Sequence, residues 1–85
     1  MDTSDCAIGP RTFCAGADLE SIDLRNADVA GSNFSNAVLS GANFAGANLR
    51  GADMAGANLG GANLAKADLA GANLAGSVLM PSGSV

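Results

Sequence analysis

The residue types able to do chemistry in this chain are few and repetitive. Cys6 and Cys14 are its two cysteines, and it has no His, Trp or Tyr. Carboxylates and carboxamides recur at Asp18, Asp23, Asp28, Asn33, Asn43, Asn48, Asp53, Asn58, Asn63, Asp68 and Asn73, always at multiples of five residues. General acid–base catalysis would need such groups to converge with a nucleophile or metal in one pocket. A column at spacing five better suits short polar side chains that bond the backbone at recurring turns and face water. Two cysteines without histidine supply too few soft ligands for a metal site. Glycine also recurs singly at spacing five, which marks corners and not a phosphate-cradling loop. No catalytic, cofactor-binding or metal-binding residue is expected, and no enzymatic activity.

These residues are positioned by a text that breaks into lines of five from Ala17 to Pro81: ADLES, IDLRN, ADVAG, SNFSN, AVLSG, ANFAG, ANLRG, ADMAG, ANLGG, ANLAK, ADLAG, ANLAG, SVLMP. The middle residue of each line is large and apolar, from Leu19 and Leu24 through Phe34 and Phe44 to Leu74 and Leu79. Two places earlier the residue is Ala in ten of the thirteen lines, and eight lines close with Gly. Between the two stands Asp or Asn, except at Val38 and Val78. On an α-helix a five-residue step turns by roughly 140°, which would smear the Leu column around the cylinder. In a straight strand an odd step would send successive Leu to opposite faces. The chain must therefore turn a corner about once per line and wind into a coil. Its large and small apolar residues then point inward, its Asp and Asn outward, and its backbone pairs between coils.

Lines of the form A(D/N)LxG with Leu or Phe at the centre resemble the pentapeptide-repeat family, over 65 of the 85 residues. The resemblance implies an all-β fold, a right-handed quadrilateral β-helix of about three coils with one line per side. Lines four apart would then stack, giving inward ladders at twenty-residue spacing: Leu19, Leu39, Leu59, Leu79; Leu24, Phe44, Leu64; Val29, Leu49, Leu69; and Phe34, Met54, Leu74. Such an interior should be full, without a ligand cavity.

The expected organisation is an N-terminal cap with a degenerate first repeat over 1–16, the solenoid over 17–81, and a disordered tail over 82–85. In the degenerate line Thr12–Gly16, Cys14 takes a central position, where a buried thiol replacing Leu is the favoured reading. A Cys6–Cys14 disulfide pinning the cap is the alternative, since a lone pair in a chain without a signal peptide more often stays reduced. Net charge is −4, which argues against unaided binding to nucleic acid or anionic membrane. No apolar run reaches membrane-span length, and the N-terminus lacks a signal-peptide pattern, so a cytoplasmic location is expected.

Function is expected to be structural or protein–protein interaction, with the partner unknown. The side exposing Val38 and Val78, with Leu79 and Met80 beside Val78, is the candidate interaction or dimer surface, and the last coil could pair with a second copy through its open edge. A different function follows from the resemblance, because some relatives mimic duplex DNA and bind DNA gyrase. Thirteen lines at about 4.8 Å per coil rise only about 16 Å, which matches about five base pairs, and no side carries a continuous acidic stripe. Ice binding, which favours Thr ladders, has only Thr3 and Thr12 to draw on.

Overall fold

The computed structural model describes residues 8–78. Cys6, Leu79, Met80, Pro81 and the proposed tail at 82–85 lie outside the described residues, as does most of the segment preceding the first repeat.

Each line folds as three extended residues and a corner. At every corner the N–H of the next line's first residue donates to the carbonyl of the preceding central residue, as in Ala42 N to Leu39 O at 3.0 Å and Ala47 N to Phe44 O at 2.9 Å. The line-closing residue sits in the left-handed region, with φ of 69–72° at the positive-φ glycines. A positive φ at the third residue of a turn closed in this way is what a type II turn requires. Because a corner follows every three extended residues, no continuous strand forms among the described residues. The β-structure consists of isolated parallel bridges, each at the outward residue of a line.

Those bridges fix the number of sides. They join residue i to residue i + 20, as in Phe13–Asn33–Asp53–Asn73 and Asp18–Val38–Asn58–Val78. Twenty residues per coil with a corner every five make four sides. Backbone pairing alternates regularly: Val38 N donates to Ala17 O one coil back at 2.9 Å, and Leu39 N donates to Asn58 O one coil on at 2.8 Å. The polar backbone is thus paired between coils, which lets so short a chain bury a core.

The core holds the inward residues of both columns. Phe34, Leu39, Phe44, Leu49 and Met54 are fully buried, as are Ala42, Ala52 and Ala57 between them. Phe34 and Phe44, from opposite sides, meet edge to face across the core with ring centroids 6.2 Å apart, a favourable aromatic geometry. Burial is uneven from end to end. Cys14, Leu19, Leu24 and Val29 are buried in the first coil, whereas Leu69 and Leu74 in the last are only partly buried.

One departure from the small-residue column has a structural explanation. Ser32, which replaces the usual Ala, is the buried polar residue of the core. Its hydroxyl donates to Gly9 O and accepts from Thr12 N, both at 3.1 Å, which fastens residues 9–12 to the coil below. Ser32→Ala should keep the fold and cost about 1 kcal/mol. Amide exchange at Thr12 should accelerate while exchange at Phe44 stays unchanged.

Candidate functional site

The outward column holds eleven of the chain's fifteen Asp and Asn residues. All eleven of its Asp and Asn residues accept, through Oδ1, the N–H two residues on, at 2.9–3.3 Å. These bonds serve the corner N–H groups that the coil-to-coil ladder leaves over. The acids are therefore spread along the outside as turn caps. Among the described residues no three His, Cys, Asp or Glu groups come together as metal ligands would.

Charge is distributed by side. Asp23 receives two bonds from the Arg25 guanidinium, Nε to Oδ1 at 3.0 Å and Nη2 to Oδ2 at 2.9 Å. This bonding holds the Asp23 carboxyl below its ordinary range and raises the Arg25 guanidinium. A depressed carboxylate stabilises above its unfolded pKa and loses that contribution as pH falls through the lower folded value. Both groups are open to water, so solvent screens the effect. On the next side Asp28 accepts from Asn48 Nδ2 at 3.3 Å, and Arg50 lies 3.8 Å from Asp68. In the bridge ladders no acid stands directly above another, since amides or valines alternate with them. Continuous acidic stripes are missing from the described residues.

Val38 and Val78 fall on one side, as alternate members of the ladder Asp18–Val38–Asn58–Val78. They are 36% and 47% exposed. Phe13, on the adjoining side, is 68% exposed and occupies the same outward column, a placement the degenerate line Thr12–Gly16 already implied. None of the three can cap a corner. Leu79 and Met80 lie outside the described residues.

Cys14 is buried and disulfide-bonded, and no cysteine among the described residues is free. This differs from the buried thiol that the sequence favoured. The chain holds one other cysteine, Cys6, which lies outside the described residues. We expect the unreduced protein, denatured, to react with no thiol reagent and to migrate as a monomer without reductant. Reactive thiol before reduction, or a reductant-sensitive dimer, would show that Cys6 is not the partner of Cys14.

A twenty-residue, four-sided coil with capped corners and a filled interior defines a β-solenoid repeat protein. The family model for pentapeptide repeats matches it over residues 17–56 and 42–79, with eight copies. The chain belongs to the pentapeptide-repeat family, whose members form right-handed quadrilateral β-helices. Among solved structures it is similar to a pentapeptide repeat protein from the Arabidopsis thaliana thylakoid lumen, at 32% identity and a TM-score of 0.73, covering 85% of this chain and 53% of that one. It is also similar to Rfr23 from the cyanobacterium Cyanothece 51142, at 33% identity and a TM-score of 0.60, covering 84% of this chain and 55% of that one. A third is HetL from the cyanobacterium Nostoc, a pentapeptide repeat protein involved in heterocyst differentiation regulation, at 30% identity and a TM-score of 0.61, covering 92% of this chain and 46% of that one. The chain thus spans about half the length of these structures. No curated protein matches it. No helix among the described residues is long and apolar enough to cross a membrane.

Proposed function

We infer that the chain is a non-catalytic module, a solenoid of about three coils with a short N-terminal cap, whose work is to present its sides to another protein. The observation that carries this reading is the use already made of its polar groups. Every outward Asp and Asn is spent on a corner N–H, the interior is packed with Leu, Phe, Met and Ala, and what is left to offer is flat surface. HetL, a regulatory relative by its description, fits the same reading. Proximity crosslinking in the native cell followed by mass spectrometry tests it. A protein that crosslinks to the purified chain and forms a defined complex with it supports the reading. Catalytic turnover, or a small molecule retained through native mass spectrometry, overturns it.

The gyrase-binding alternative has less support, because acids alternate with amides and two are paired with Arg25 and Arg50. A DNA supercoiling assay separates the two readings, since a duplex mimic inhibits gyrase and a flat-sided scaffold does not. Self-association through the last coil is a further proposal, supported by the partial exposure of Leu69 and Leu74. It predicts a dimer by sedimentation that Leu79→Arg abolishes. For the compartment, a disulfide at Cys14 supports an oxidising environment over the cytoplasm.

A further inference from the structure

Three of the four exposed large apolar residues among the described residues stand on sides whose lines hold no cation. Phe13, Val38 and Val78 stand in the outward ladders of two adjoining sides. The lines of those two sides carry Asp18, Glu20 and Asp53 and no Lys or Arg, whereas Arg25, Arg50 and Lys66 belong to the other two, and Arg11, after Ile8, stands at the corner that leads into Phe13's line. Val38 also gives up something its counterparts keep. Where Asn43 and Asn58 cap the N–H of Ala45 and Gly60, Ser40 N–H has no side-chain acceptor among the described residues. A local bond forgone to expose an apolar side chain is a mark of a functional site.

We propose that the side bearing Val38 and Val78 docks a basic amphipathic helix of a partner protein, laid along the solenoid axis. The inference rests on the interaction-module reading and names the chemistry of its partner. Two coils separate the valines, roughly 9.6 Å at strand spacing. Two turns of an α-helix rise about 10.8 Å, so aliphatic residues at i and i + 7 meet both valines. Same-face residues of an extended strand recur about every 6.8 Å and fall out of step. Lys or Arg on the flank of that helix reaches Asp18 and Glu20, which stand at the N-terminal end of this side with no cation of their own. The same side of a second copy of the chain would bring no cation to Asp18 and Glu20, so charge selects a basic partner.

The test uses a fluorescein-labelled helical peptide with Leu at i and i + 7 and flanking Lys, followed by anisotropy. The unmodified protein should bind it saturably, and raised ionic strength should weaken the complex. Val38→Asn restores the corner cap and should melt no lower than the parent, yet bind at least about fivefold more weakly. Asp18→Asn with Glu20→Gln keeps the Oδ1 cap at residue 18 and should flatten the salt dependence. Asp28→Asn, on another side, should change neither. The proposal is overturned if Val38→Asn binds as the parent does, or if Asp28→Asn weakens binding as much as the changes at residues 18 and 20. It is also overturned if the peptide does not bind and sedimentation shows a dimer that Val38→Asn dissolves, because the occupant is then a second copy. A native partner captured equally by the parent and Val38→Asn would leave the interaction module standing and move its surface elsewhere.

Discussion

Phe44→Ala should lower stability by about 3–5 kcal/mol, among the largest losses expected from a single truncation in the chain. Phe44 is fully buried, stacked between Leu24 and Leu64, and meets Phe34 edge to face. The cavity left behind cannot collapse easily, because the backbone around it is tied to the coils on either side. Phe44 N bonds Asn63 O at 2.7 Å, and Asn43 N bonds Ile22 O at 2.9 Å. Asn43→Ala, one residue away, removes only the cap on Ala45 N–H and should cost about 1 kcal/mol. Urea denaturation of the two variants measures the contrast. Equal losses would mean that the inward and outward columns are wrongly assigned.

Gly56→Ala should cost about 2–4 kcal/mol, from two separable causes. Gly56 has a φ of 71°, which a residue with a Cβ adopts at a penalty. An added Cβ would also collide with Oδ1 of Asn36, the left-handed corner residue one coil earlier. Gly51→Ala isolates the first cause, since Gly51 has a φ of 69° and open space where its Cβ would go. It should cost about 1 kcal/mol. Making Gly56→Ala in an Asn36→Gly background should recover the difference, and a double-mutant cycle from thermal melts reads that coupling. If Gly51→Ala and Gly56→Ala cost the same, stacking at the corners carries no energy of its own.

The sides and the core were legible because five-residue spacing and residue size together decide which way a side chain faces. Leu39, Leu49 and Leu59 needed no tertiary information to be placed. The outward column was legible for the same reason, down to its role in bonding corner N–H groups. Other features depended on contacts that a period cannot encode. Ser32 looks like a tolerated substitute for Ala until Gly9 and Thr12 are seen to bond it. Asn26, Asn36 and Lys66 look like lapses in the Gly column, yet each holds a φ of 58–60°. The pairing of Cys14 is of the same kind, because spacing alone leaves thiol and disulfide open. Phe13 stands in a degenerate line, so its outward place follows from register alone and its exposed ring is no part of the repeat pattern.

The corners also set how such a chain can grow. Arg11, Ser21, Asn26 and Asn36 each lie against a glycine one coil later, at Gly31, Gly41, Gly46 and Gly56. Inserting a single line would shift every later corner by a quarter-turn and bring the wrong neighbours together, with Val78 carried off the side it shares with Val38. Inserting twenty residues would lengthen the rod and leave the four sides' identities intact. Gene duplication can therefore extend this architecture without loss of surface pattern only in whole-coil units, which makes length and binding face independently adjustable.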